Sequence, residues 1–199
     1  LKTAIVDKQW LGGVCLNVGC IPSKALLKNA EVAHTLRERG KEFGFSFENL
    51  QLDFSAAVKR SRQVSDRLTK GVGFLMKAKN IIIATGAFSA SIPGVTVDGE
   101  KIVSYQEAIL QEKRPESVVI IGAGAIGMEF ATVWSGYGSQ VTIVEMLPRV
   151  LPLEDEEISN ELAKAFKKRG VQILTGHKVQ SVQATDKGVK VVVSADGQE

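Results

Sequence analysis

The chain has only two cysteines and two histidines in 199 residues, and that scarcity excludes a good deal. A structural zinc site takes about four nitrogen or sulfur ligands, and His34 and His177 share no paired spacing with each other or with the cysteines. No apolar run approaches the roughly 20 residues of a membrane-spanning helix. An excess of one charge is missing too. The chain has 25 Lys and Arg against 22 Asp and Glu, interspersed rather than drawn into a stripe, so no nucleic-acid surface is expected. No short-period repeat runs through the sequence. No cleavable targeting segment opens it, which points to an interior, reducing compartment, and structural disulfides are rare there.

What is present is ordinary for a globular protein: 44% hydrophobic and 24% charged residues, and a length suited to one or two domains. Both ends read as cut. Residues 1–7 form a strand with nothing before it, and 194–199 stop in a hairpin turn without a return strand, so the chain is expected to be part of a longer protein.

The two cysteines stand close together, at Cys15 and Cys20, among Gly12, Gly13 and Gly19 and just before a helix expected over Pro22–Arg39. Pro22 suits the first turn of a helix, where its missing amide costs nothing. A thiolate near a helix N-terminus is stabilised by free amides and the helix dipole, so a lowered thiol pKa is expected here. The three glycines are expected to take left-handed turns and to let the backbone approach a flat ligand. Composition alone leaves two readings open, a reactive dithiol or two inert buried thiols.

Further along, Gly40 ends the first helix and Asp53 is the expected N-cap of a second, running through Val58, Val64 and Leu68 toward Met76. Ile81–Ala84 reads as a buried strand ending in Thr85-Gly86. A short helix is expected over Tyr105–Leu110 and a charged one over Glu156–Arg169. Strands follow near 171–174, 178–184 and 189–194, the last two joined at Asp186-Lys187-Gly188.

From Ser117 the order is strand, glycine turn, helix, strand. Val118–Ile121 leads into Gly122-Ala123-Gly124-Ala125-Ile126-Gly127, a G-x-G-x-x-G pattern, and the helix behind it leads to Val141–Val144 and Glu145. In this context the pattern reads as a dinucleotide site. Gly122 makes the turn, Gly124 lets amides approach a pyrophosphate, and Gly127 lets helix and strand pack closely. Glu145 stands where an acid bonds ribose hydroxyls and repels a 2′-phosphate, which favours NAD over NADP. Arg149 is expected to be a solvated surface residue that leaves this preference intact. A dithiol upstream of an NAD site calls for a carrier between two-electron sulfur chemistry and hydride transfer, and flavin is that carrier.

Leu11–Lys24 closely resembles the redox segment of the pyridine nucleotide–disulfide oxidoreductases. Leu16, Ile21 and Ser23 match its dihydrolipoamide-oxidising branch better than its glutathione- or mercury-reducing ones. Ile83–Gly86, the G-x-G-x-x-G turn and Leu147–Pro152 extend the resemblance over nearly the whole chain.

The resemblance implies an α/β fold of two Rossmann-like three-layer domains, the NAD domain inserted into the FAD domain. Residues 1–92 would be part of the FAD domain and 93–199 the NAD domain. Cys15 would exchange with the lipoyl sulfur and Cys20 would lie against the flavin. Asp7, Lys8, Gly12, Gly13, Val14, Thr85, Gly86 and Ala87 would line FAD. Lys24 would approach the flavin ring and pair with Glu129, and Gly122–Gly127, Glu145 and Val179 would line NAD.

The departures are equally specific. Asp7 replaces a usual glutamate and Val14 a common threonine. The family's first strand and FAD-phosphate turn would precede Leu1, and several tens of residues would separate Lys77 from Ala78. A C-terminal dimerisation domain, which supplies a histidine–glutamate base to the partner's site, would follow; His34 and His177 do not match that base. The implied partners are the lipoyl domain of an acyltransferase and a second copy of the chain, in bacterial cytoplasm or mitochondrial matrix. A mercuric- or glutathione-type reductase and a non-catalytic NAD-binding redox sensor are the alternatives.

Overall fold

A computed structural model describes residues 9–75, 89–90 and 92–195. The expected strands at 1–7 and 81–84, the Lys77–Ala78 junction, and Asp7, Lys8, Thr85, Gly86 and Ala87 lie outside the described residues.

Three helices come first: α1 (Gly13–Val18), α2 (Cys20–Arg39) and α3 (Phe54–Leu75). A single 3-10 turn, Gly40–Phe43, extends α2 past the stop expected at Gly40. Asp53 caps α3 as expected, its Oδ1 accepting the Ala56 N–H at 2.9 Å. The apolar positions Leu26, Ala30 and Ala33 of α2 fall on one face and are buried. The short α4 (Tyr105–Leu110) is closed by a capping box in which Ser104 and Glu107 bond reciprocally.

Next comes a parallel sheet in the order β1 (Ser117–Ile121), β2 (Gln140–Glu145), β3 (Gln172–Thr175), with α5 (Ala125–Gly136) and α6 (Glu156–Lys168) as its crossovers. Parallel neighbours need such crossovers, and the continuous apolar runs of β1 and β2 are what a covered sheet requires. Val141, Ile143 and Val144 are nearly inaccessible, and burying each contributes about 1.5–3 kcal/mol. α6 carries Asp155 as its N-cap, two glutamates in its first turn and two lysines in its last, each complementing the helix dipole. A separate antiparallel hairpin, β4 (Lys178–Thr185) and β5 (Gly188–Ser194), closes the described chain, with an irregularity between Val179 and Ser181.

One core runs through both parts, from Val18, Leu26 and Val58 to Met128, Trp134 and Ile143. α2 and α5 approach closely within it. A methyl built on Gly136 would sit 3.0 Å from Ala30 Cβ and 3.1 Å from Ala30 O, and Arg37 Nη1 donates to Gly136 O at 3.3 Å.

Candidate functional site

The cysteines do not lie in a loop, as their glycine-rich surroundings suggested. Cys15 sits inside α1 and Cys20 is the first residue of α2. Gly12 and Gly13 take φ of +90° and +74° and turn the chain into α1, and the Gly13 N–H donates to Trp10 O at 2.9 Å. Gly19 is not left-handed, contrary to expectation, with φ −123° and ψ −122°. Space is what excludes a side chain there: a Cβ would lie 2.9 Å from Cys15 Cα and 3.0 Å from Val14 O.

That break decides the chemistry. In one continuous helix, residues five apart point about 140° away from each other. Here Gly19 interrupts the helix between Cys15 in α1 and Cys20 at the start of α2, and Cys20 is the main influence on the Cys15 thiol. Both thiols are free and exposed. The hydrogen bond with Cys20 is the main cause that pushes the Cys15 pKa above the ordinary thiol value, with burial adding to it. A Cys20 backbone bond and the Lys24 charge pull the other way and do not win. The lowered pKa expected from the helix terminus is therefore overturned for Cys15: in the dithiol state its proton is held by its neighbour.

Peptide-resolved alkylation of the reduced protein should accordingly show Cys15 titrating above a free thiol. Cys20→Ala should move that midpoint down, since the group holding the proton is gone. A midpoint indifferent to Cys20→Ala would remove Cys20 as the cause.

Lys24 is exposed one turn into α2, and Glu129 is half-buried on α5. Although α2 and α5 pack together, no ion pair joins the two among the described residues, so the expected contact is not formed here. Val14 is half-buried and packs against the core. His34 has its pKa lowered by burial and by Arg169. His177 is a structural residue: its N–H donates to Glu145 O at 3.0 Å, and its Nδ1 lies 2.8 Å from Thr175 O.

The second site forms at the end of β1. Gly122 takes φ +104° and donates to Val144 O at 2.8 Å, which carries the chain from sheet to helix in a conformation that side chains rarely adopt. Gly127 is required by contact, because a Cβ there would fall 2.1 Å from Gly122 O. Gly124, the N-cap of α5, has no side chain to offer its helix and faces open space where a Cβ would stand. Ala125 and Ile126 beside it are exposed, and Ala123 is fully buried. The first amides of α5, which have no partner within the helix, thus open onto an uncluttered surface with positive potential, a ready anion cradle.

Glu145, at the end of β2, closes this cradle on one side. Its Oε2 accepts the Ala123 N–H and its Oε1 the Leu147 N–H, each at 2.8 Å. Leu151, the one described non-glycine residue with positive φ (+45°), donates to Ala123 O at 2.8 Å and accepts the Ser159 hydroxyl at 3.2 Å. Such a backbone costs about 1–2 kcal/mol, and those bonds over-determine it. Arg149 is not the solvated residue that the sequence suggests. Its Nη2 donates to Pro152 O and Glu154 O at 3.3 Å and its Nη1 lies 3.7 Å from Glu156, so the side chain is committed to its own loop. Val179 is half-buried in β4, and that hairpin is tied to the Glu145 end of β2 through Gly176 and His177.

Sequence reasoning missed Asn17, Thr69 and Leu151. The first two are joined by a hydrogen bond across 52 residues, and no local pattern announces it.

A family model described as pyridine nucleotide-disulphide oxidoreductase matches residues 1–199. The dihydrolipoyl dehydrogenase of Mycobacterium leprae is 43% identical over 233 aligned residues, covering 100% of this chain and 50% of its own. That of Corynebacterium glutamicum is 43% identical, covering 100% of this chain and 49% of its own. Among solved structures, LpdA from Mycobacterium tuberculosis superposes with a TM-score of 0.83 at 22% identity, over 97% of this chain and 49% of that one; this likeness speaks for the α/β fold. The chain spans about half the length of the curated relatives it matches.

Proposed function

The chain belongs to the pyridine nucleotide-disulphide oxidoreductase family, and we propose that the protein of which it is part oxidises dihydrolipoamide with NAD, through FAD and a Cys15–Cys20 disulfide. One observation carries the reading: two free, exposed thiols stand on either side of the helix break at Gly19, Cys15 in α1 and Cys20 at the start of α2. The names of relatives at 43% identity give the substrate.

The residues fit a dinucleotide at the glycine turn. Gly124 leaves the space that a pyrophosphate needs, the amides at the start of α5 would hold its charge, and Glu145 is anchored where ribose hydroxyls would meet it. With Arg149 committed elsewhere, no guanidinium offsets the Glu145 carboxylate against a 2′-phosphate, so NAD is preferred. On the sulfur side, Gly12, Gly13, Val14 and Lys24 stand beside the dithiol and would hold FAD together with Asp7, Lys8, Thr85, Gly86 and Ala87. Bound there, FAD supplies the two-electron chemistry that links a dithiol to a nicotinamide.

The sulfur step is an exchange. A substrate thiolate attacks the disulfide at Cys15, breaking the Cys15–Cys20 bond and forming a mixed disulfide. The second substrate thiol closes the lipoyl ring by displacing Cys15, and the two electrons stay on the dithiol.

The two-domain Rossmann arrangement, with the domain boundary near residue 92, belongs to this proposal. An alignment longer than the chain itself, 233 positions against 199 residues, supports a segment missing inside it. A lipoyl domain and a second copy, joined through a C-terminal domain, are the proposed partners. No described helix is long and apolar enough to cross a membrane, and a cytoplasmic or matrix location is proposed with the substrate. Full-length protein should carry a flavin spectrum and form NADH from dihydrolipoamide and NAD, with NADP a poor substitute. Colourless protein, or turnover with glutathione instead of lipoamide, would overturn the assignment.

A further inference from the structure

We propose that Asn17 is a positioning residue for the dithiol: it fastens the turn carrying Cys15 to α3 and so keeps Cys15 within reach of Cys20. This rests on the redox reading above. α1 is six residues long, well short of the roughly 12–15 at which an isolated helix persists in water. Gly12 gives it no side-chain cap. Other groups must therefore hold it in place.

Asn17 Nδ2 donates to Leu11 O at 3.0 Å and to Gly13 O at 2.9 Å. Its Oδ1 accepts the Thr69 hydroxyl of α3 at 3.3 Å. Both amide hydrogens and the oxygen are engaged. The two carbonyls belong to the glycine-rich stretch that leads into Cys15, where left-handed residues give the chain its greatest freedom. Val18, 1% exposed, pins the far end of α1 by packing; Asn17 pins the near end. The tie reaches Cys15 without touching it.

Oxidation joins Cys15 Sγ to Cys20 Sγ and releases two protons and two electrons. One glutathione disulfide takes these up and leaves as two glutathione thiols. The position of that equilibrium measures how readily the two protein sulfurs meet. A loosened α1 makes the meeting rarer and moves the balance toward the dithiol.

The test uses full-length holoenzyme equilibrated in glutathione buffers, alkylated, and read by mass spectrometry. Asn17→Leu, close in size but unable to hydrogen-bond, is expected to shift the balance toward dithiol about tenfold. Thr69→Val should shift it about threefold, and Thr69→Ser, which keeps the hydroxyl, should restore the wild-type value. A purely structural role would lower the melting temperature and leave this equilibrium unmoved. Should Asn17→Leu fail to fold, the Thr69 pair decides. Wild-type equilibria in Asn17→Leu and Thr69→Val, or a Thr69→Ser shift as large as that of Thr69→Val, would overturn the proposal. Wild-type enzyme that forms no Cys15–Cys20 disulfide in any buffer sinks this inference and the redox reading together. Wild-type enzyme that forms the disulfide but oxidises no lipoamide sinks only the substrate assignment, and the variants then still decide the role of Asn17.

Discussion

Cys20→Ser in the full-length protein is expected to cut lipoamide-dependent NADH formation by at least about a thousandfold while NADH binding stays at its wild-type level. The exchange needs a second sulfur to accept the electron pair, and a serine oxygen cannot close a disulfide with Cys15. The proposed nucleotide cradle, Gly122–Gly127 and Glu145, shares no hydrogen bond with Cys20 among the described residues. Steady-state rates and an NADH fluorescence titration on the same preparation separate the two effects. Turnover within a few-fold of wild type would remove the dithiol from the mechanism, and lost NADH binding would mean that the substitution acts through the fold.

The second large effect divides the glycine turn in two. Gly127→Ala places a methyl 2.1 Å from Gly122 O, a backbone atom with no flexible end to swing aside. Overpacking against backbone should cost about 2–4 kcal/mol, a fall in melting temperature of roughly 5–15 °C for a chain of this size. Gly124→Ala meets no atom within 4 Å and its φ of −72° suits alanine, so the fold should tolerate it. The new methyl would stand where a pyrophosphate is proposed to approach, and NADH affinity should drop about tenfold or more. Thermal melts and NADH titrations of both variants check the split. Equal losses of stability would show that Gly124, too, is there for packing.

The strand–turn–helix–strand unit around Gly122 was legible because its signals are local: a run of β-branched residues, glycines at fixed offsets, and an acid at the next strand end. β1 and β2 fall within a residue of their expected places for that reason, with the expected helix between them. Asp53 was legible as a cap on the same ground. α1 was not. Its glycines argue for a loop, whereas its contacts are non-local: a hydroxyl 52 residues away reaches Asn17, and Val18 is buried. The shifted Cys15 pKa was hidden too, because the helix terminus that sequence suggests matters less than a neighbouring thiol brought round by Gly19. The absent Lys24–Glu129 pair has a similar cause. Sequence places each residue on its helix, but whether their ends meet depends on how α2 crosses α5.

That crossing governs more than packing. From the close approach of Gly136 to Ala30, one rod runs about 15 Å back to the sulfurs and the other about 17 Å to the glycine turn at Gly124, at 1.5 Å per residue. With arms of that length, a tilt of about 5° at the pivot displaces either tip by roughly 1 Å. The spacing between the dithiol and the glycine turn is thus set by a fulcrum remote from both, and one added methyl there would be felt as misalignment at each.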